Sequence, residues 1–310
     1  MLTRQLKLII VRFVSHIPRY YPDWFKQLVK PLSGIYSYIS KIIYSSIKEE
    51  ILVKTLAGPW IYVNYQDPVE RKIAEGIYEK TYVDFFYSKV QSGHVVVDIG
   101  AYIGYFSLLA SERVGNDGCI YAFEPVPRNY KRLMKNFKLN RVENVKAYNF
   151  GLSDKNETLI INVPKENPAE STLYRHTVTE ISRNLKCEKA SVKIQLKSFD
   201  QFCMEEDLNN EVNIVKIDAE GAEFKILKGM ETTLRTSNLL LFLEIFPPIL
   251  NRIGVSLENL ITFLTNCGFK TIYSGRNLTR KQIINPNNLN KIVTFILKDE
   301  GYNFIFDKNI

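Results

Sequence analysis

The chain has 310 residues, 45% of them hydrophobic, and a net charge of +8, which allows one or two domains with a sizeable core. Its four cysteines are scattered without a C-x-x-C pair, and His16, His94 and His176 lie far apart. That excludes a zinc knuckle or a disulfide framework, predicts no metal ligands, and fits a reducing compartment. No apolar run approaches the roughly 20 residues needed to cross a bilayer. The N-terminus reads as carrying no signal peptide, because Arg12 breaks its apolar stretch and no small-residue cleavage site follows.

The charge is uneven. Residues 1–54 carry nine basic side chains against three acidic ones, and the remaining body is near neutral. Leu2, Leu6, Ile9, Ile10 and Phe13 share one helical face, and Ile35, Tyr36, Ile39, Ile42, Ile43 and Ile47 mark a second stripe. Residues 1–54 are therefore expected as a basic amphipathic helical extension. Two readings stay open for residues 1–48: peripheral contact with an anionic membrane, or packing on the body or a partner. The near-neutral body speaks against a nucleic-acid partner.

Residues 55–93 form a lead-in or cap segment. Thr55–Asp67 reads as two short strands around Gly58-Pro59, and Pro68–Lys89 as helical. Gly76–Glu79 would either lid a ligand or cover a sheet face. His94–Phe106 (HVVVDIGAYIGYF) is a buried strand, a glycine turn and a helix start. Such a turn sits where open parallel sheets bind ligands. G-x-G-x-x-G is absent, with Asp98 at its first position, so a pyrophosphate would meet a carboxylate. D-x-G-A-x-x-G instead resembles motif I of class I S-adenosylmethionine (SAM) methyltransferases.

Cys119–Phe123 is the next strand, ending at Glu124, about 20 residues past Gly104. An acid so placed accepts both hydroxyls of a ribose, or else caps the helix expected over Asn129–Leu139. Asn144–Asn149 is a third strand, followed by a turn at Gly151–Asp154. Thr158–Val163 and Ser191–Leu196 alternate as antiparallel strands. The polar stretch between them, containing Ser171–His176, is either a substrate loop or a surface loop. Val212–Ile217 ends at Asp218, with Glu220 and Glu223 close behind. Asn238–Ile245 delivers Glu244 to the same edge. Ser256 caps a helix to Cys267, and Phe269–Tyr273 and Lys291–Leu297 read as closing strands, the latter an antiparallel edge.

VVVDIGAYIGYFSLLAS, AFEPVPRNY, NFGLSD and VKIDAEGAEFKILKGM resemble the FkbM family of SAM-dependent methyltransferases over about residues 76–275. Lys216, Asp218, Glu220, Gly221, Glu223, Leu227 and Gly229 all match its most specific segment. The resemblance implies an α/β fold: a doubly wound, mostly parallel seven-stranded sheet with an antiparallel edge strand, over residues 94–300. It also implies SAM as cofactor and methyl transfer to a hydroxyl of a sugar, glycan, lipid-linked or natural-product acceptor. Tyr102 replaces an Asn common in the family and would narrow or stack over the cofactor site.

Cofactor binding is assigned to Asp98, Gly100, Tyr102, Gly104 and Glu124, with Gly151 and Asp154 bordering adenine. Asp218 is the first candidate for general base, then Glu220 and Glu244, with His176 as an outsider. Magnesium held by Asp218, Glu220 and Glu244 is the less favoured reading. Three other functions stay open: a nicotinamide oxidoreductase, a SAM-binding membrane scaffold without turnover, and an RNA or protein methyltransferase. The last lacks an N/D-P-P-Y/F motif. The expected location is the cytoplasm or the inner face of a membrane.

Overall fold

The computed structural model describes residues 50–55, 58–164, 189–206, 208, 212–299 and 302–309. The two expected N-terminal helices and the Ser171–His176 loop lie outside the described residues. The chain divides into two compact units, Met1–Tyr78 and Glu79–Ile310.

In the first unit, β1 (Glu50–Lys54) and β2 (Trp60–Asn64) pair antiparallel, with Ile51 opposite Val63 and Val53 opposite Ile61. All four of these side chains are buried. The first strand thus begins five residues before the sequence reading placed it, within the stretch assigned to the helical extension. Period-two burial of β-branched residues outweighs any helical stripe here. Helix α1 (Pro68–Ala74) starts on Asp67, whose Oδ1 accepts from the Val69 and Glu70 N–H groups. Pro68 at its first position needs no N–H partner.

The second unit follows a strand–helix alternation. Helix α2 (Lys80–Lys89) leads into β3 (Val95–Ile99), α3 (Tyr105–Val114), β4 (Cys119–Phe123), α4 (Pro127–Asn140) and β5 (Val145–Tyr148). A side sheet follows, of β6 (Gly151–Leu152), β7 (Glu157–Pro164) and β8 (Lys189–Lys197), and then α5 (Phe199–Glu205). The chain re-enters the main sheet through β9 (Ile214–Ile217), α6 (Glu223–Gly229), α7 (Glu231–Thr236) and β10 (Leu240–Glu244). It closes with α8 (Pro247–Arg252), α9 (Leu257–Asn266), β11 (Thr271–Ser274), β12 (Lys281–Ile283), α10 (Leu289–Leu297) and β13 (Asn303–Asp307).

The main sheet has eight strands in the order β12-β11-β13-β10-β9-β3-β4-β5. Strands β5, β4, β3, β9 and β10 run parallel; β13 is antiparallel to both β10 and β11, and β12 is antiparallel to β11. The chain leaves β3 toward β4 on one side and returns to β9 on the other. The crevice between β3 and β9 is therefore the switch point where such sheets bind ligands. Val97, Ile99, Ile217 and Leu243 join one core with Phe199, Phe202, Leu227 and Leu264. On the other face, Tyr82 and Phe86 of α2 meet Phe106 and Phe242 edge-to-face at 5.1–6.1 Å. That helix covers a sheet face.

Three expectations change. Lys291–Leu297 is not a strand but part of α10, because Leu289, Ile292, Val293 and Ile296 repeat at helical spacing; Ile292 and Ile296 are buried. Asn303–Asp307 is an antiparallel strand inside the sheet, and the antiparallel edge strand is β12, Lys281–Ile283, rather than Lys291–Leu297. Eight strands replace seven. Pro68–Lys89 is two helices rather than one, Gly76 and Glu79 both taking positive φ (64° and 39°).

Two loops meet so closely at the switch point that a side chain is forbidden. A Cβ on Gly100 would lie 1.9 Å from the Asp218 carbonyl oxygen, and its φ is +77°. Gly100→Ala should therefore cost roughly 3 kcal/mol or more in urea unfolding. A loss under about 0.5 kcal/mol, the typical surface range, would contradict this packing.

Candidate active site

Strand register places charge in the middle of the sheet. Asp98 of β3, Lys216 of β9 and Phe242 of β10 are lateral neighbours in one row. All three are buried. Lys216 Nζ lies 3.7 Å from Asp98 Oδ1 and 3.5 Å from Asp218 Oδ2, and 4.8 Å above the Phe106 ring. Burial alone would lower the Lys216 pKa, but Asp218, Asp98 and Glu79 outweigh it and hold it above the ordinary value. Burial raises Asp98, opposed by Lys216 and by the Ser107 hydroxyl, which donates to Oδ2 at 2.6 Å. Asp98 Oδ1 is buried without a hydrogen-bond donor.

The turn after β3 is held from below by β4. The Gly100 and Ala101 N–H groups both donate to the Phe123 carbonyl at 3.0 Å. Tyr102 is left-handed (φ +51°), and its N–H donates to Glu124 Oε2 at 2.9 Å. Glu124 Oε1 accepts from the Val126 N–H at 2.9 Å and from Asn129 Nδ2 at 3.4 Å. One carboxylate thus ties the glycine turn to the start of α4. The two oxygens serve different loops, and the expected cap on the first-turn N–H groups of α4 is not made, since Oε1 takes the N–H of the N-cap residue Val126 itself. Burial pushes the Glu124 pKa up to about 7 despite these donors. Gly104 is needed for packing: its Cβ would fall 2.7 Å from the Phe137 ring.

The turn after β9 has its own brace. Glu223 Oε1 accepts from the Ala219 and Gly221 N–H groups at 3.0 Å. Glu220 between them is left-handed (φ +52°) and half-buried. Asp218 is bonded to the sheet through its N–H, which donates to the Ile99 carbonyl at 3.1 Å, while its side chain remains 28% exposed. Glu244 ends β10 opposite Asn303, and Asn303 Nδ2 donates to Glu79 Oε1 at 2.7 Å. Tyr82 reports how these groups converge. Burial, then Glu79, Asp218, Glu244 and Asp98, raise its pKa well above 10, so the hydroxyl stays protonated.

The structure therefore brings Asp98, Gly100, Tyr102, Gly104 and Glu124 to one strand edge with Asp218, Glu220 and Glu244. Gly151 joins them through Pro125, whose Cβ a side chain at Gly151 would approach to 3.2 Å. The Gly151–Asp154 turn is corrected: Gly151–Leu152 is the strand β6, parallel to β8. Asp154 is exposed and sits beside Gly229 at the end of α6, accepting from the Ser153 hydroxyl. Its described contacts are not with the strand-tip carboxylates. His176 lies outside the described residues. Among the described residues no group of three or more His, Cys, Asp or Glu is arranged to hold a metal, and no helix is long and apolar enough to cross a membrane.

Lys216 was matched to a motif but given no role. Its signal was a lone cation in the otherwise apolar strand IVKI, between two aspartates in space. Tyr82 gave none, since α2 reads as an ordinary covering helix, and Glu79 stood out only as the last residue of the Gly76–Glu79 segment.

A family model, the methyltransferase FkbM domain, matches residues 98–271. The chain belongs to the FkbM methyltransferase family. Methyltransferase 1 of Beauveria bassiana (strain ARSEF 2860) is 28% identical over 178 residues, covering 54% of this chain and 71% of that protein. Methyltransferase sdnD of Sordaria araneosa is 30% identical over 180 residues, covering 51% and 69%. A solved FkbM methyltransferase from Methylobacillus flagellatus KT aligns at 11% identity and a TM-score of 0.41, over 75% of this chain and 54% of that one. This FkbM chain thus spans about half the length of that structure.

Glu124 makes a pH-dependent contribution to stability. Its folded pKa, near 7, lies above its ordinary value, so the stabilisation is fully present below about pH 4.5 and lost as pH rises through about 7. Denaturant unfolding of the wild-type protein should show that decline between about pH 5 and 7.5, and Glu124→Gln should flatten it. Identical pH slopes for the two proteins would contradict the assignment.

Proposed function

We propose that the protein is a SAM-dependent O-methyltransferase acting on a hydroxyl of a sugar, glycan, lipid-linked or natural-product acceptor. The observation that carries this reading is the Glu124 carboxylate, clamped by the Tyr102 N–H across the tips of β3 and β4 beside the switch point. An acid at that place suits a ribose diol, and an acidic edge suits a cationic ligand and repels a phosphate-bridged one. The buried, donorless Oδ1 of Asp98 fits the same preference for positive charge.

The bound cofactor would supply an electrophilic methyl group on a sulfonium. Glu124 would accept the ribose hydroxyls, and Tyr102, held left-handed above it, would flank the nucleoside. Asp98 is fully buried, so it would support the methionine end through Lys216 and through the backbone of Gly100–Gly104. Gly151 would border the adenine; for Asp154 that role would require contact beyond those described. The protein's remaining task is alignment of the acceptor and removal of its proton.

Asp218 is the first candidate for the base. It keeps partial exposure at the switch point, as Glu220 and Glu244 do, and it alone of the three is paired with Lys216, at 3.5 Å. Asp218 would take the proton of the acceptor hydroxyl. Glu220 and Glu244 flank that position, and Tyr82, protonated and buried, is available to donate a hydrogen bond.

Asp218→Asn should bind SAM within about threefold of wild type by calorimetry and lose at least about a hundredfold in turnover. Normal turnover with normal SAM binding would remove Asp218 from the base role. Mass spectrometry of glycans and lipids from cells with and without the gene should reveal an acceptor lighter by one CH2 in its absence. Absence of SAM binding by the wild-type chain would overturn the proposal itself.

A further inference from the structure

The near-neutral total of the body conceals a segregated charge. Residues 259–298 contain six basic side chains and no acidic one. Four of them, Arg280, Lys281, Lys291 and Lys298, line an open groove of about 570 Å³ between β12 and α10, beside Thr279, Gln282, Asn290 and Thr294. Lys281, Lys291 and Lys298 are exposed. Arg280 is held in place: NH1 pairs with the buried Asp299 at 3.1 Å, and the guanidinium lies 5.1 Å over the Phe295 ring. A guanidinium so fixed loses little freedom on meeting an anion and keeps other donors to offer it.

The groove opens at the edge of the sheet that carries the active site. The Ser274 N–H donates to the Arg280 carbonyl at 3.0 Å, and the Gly275 N–H to the Asn303 carbonyl at 2.8 Å. Asn303 in turn pairs with Glu244. At about 4.8 Å per strand, the three steps from β12 to β10 and the fourth to β9 span roughly 15–20 Å. The acidic tips and the basic groove thus sit at two ends of one edge, with opposite charge.

We propose that this groove binds a phosphate or diphosphate group carried by the methyl acceptor, holding its hydroxyl-bearing end toward the strand tips. The proposal rests on the methyltransferase reading for its second half only; anion binding by the groove stands alone. A phosphate suits it better than a nucleic acid. The groove is short, and its one lining aromatic, Phe295, is buried beneath Arg280 and offers no stacking face. Ile283 and Leu297, on the same two elements, are large exposed apolar side chains. They would tolerate a hydrocarbon attached to the phosphate, so the phosphate has two sources to be separated: a soluble ester or a lipid headgroup.

The test uses the full chain and the variant Lys281→Gln/Lys291→Gln/Lys298→Gln, whose substituted side chains are exposed and outside the catalytic edge. Inorganic pyrophosphate is titrated by calorimetry, and flotation is run with phosphatidylcholine vesicles with and without phosphatidic acid. SAM affinity is measured on the same samples. Saturable pyrophosphate binding, weakened at least about tenfold in the variant and by added salt, supports the groove with a soluble ester as its source. Binding confined to the phosphatidic acid vesicles and lost in the variant supports it with a lipid source. Equal behaviour of wild type and variant with both probes, or no binding to either, overturns it. SAM affinity should be unchanged in the variant. A wild-type chain that binds pyrophosphate through these lysines but not SAM would leave the groove standing and sink the methyltransferase reading instead.

Discussion

The Lys216 ammonium is buried within this sheet, with Asp98 on one side and Asp218 on the other. The neighbours of Lys216 in its strand are Ile214, Val215 and Ile217, all buried. A charge in such a place costs several kcal/mol in desolvation and persists only with opposite charges beside it. Here the compensation comes from two strands, and the aromatic face of Phe106 adds to it. Removing one partner of a buried pair typically costs about 3–5 kcal/mol, because the other is left bare. The lysine therefore couples the tips of β3 and β9, the two strands that flank the ligand crevice.

That coupling is reinforced by backbone contact. Gly100 presses on the Asp218 carbonyl, so the two turns cannot move independently. Each turn also carries a non-glycine residue in the left-handed region, Tyr102 and Glu220, and each is braced by a buried carboxylate, Glu124 and Glu223. Strain of this kind is kept only where the surroundings over-determine it. The result is a pre-set edge: two braced turns, several carboxylates and a neutral tyrosine. Such preorganisation is what a methyl transfer needs, since alignment supplies much of its rate.

Much of this was legible without coordinates. Strands β3, β4 and β10 announce themselves as apolar runs, and Ser256 caps α9 as expected, its Oγ accepting from the Asn259 N–H. The positions of Glu124 and Asp218 followed from one rule, that an acid just past a buried parallel strand lands at the ligand edge, whereas Asp98 and Glu244 belong to β3 and β10 themselves, because both strands run one residue or more beyond the apolar run. Other features were hidden for physical reasons. The run KIVTFIL suits a strand by composition, and only its spacing with Leu289 marks a helix. Nothing local tells that the missing Cβ atoms of Gly100 and Gly104 face Asp218 and Phe137 rather than a ligand. Lys216 gains its meaning from the lateral register of three strands, which no single stretch contains. The groove at Arg280 was lost in a sum, because a net charge says nothing about where the charges lie.

The central claim is that the turns after β3, β4 and β9 close around one SAM molecule. Hydrogen–deuterium exchange of the whole chain, with and without saturating SAM, tests it most directly. The account predicts slower exchange in peptides spanning residues 98–107, 122–130 and 216–224 together, with the β12–α10 hairpin unchanged. Protection confined to other segments, or none at the three turns under conditions where SAM is bound, would contradict it.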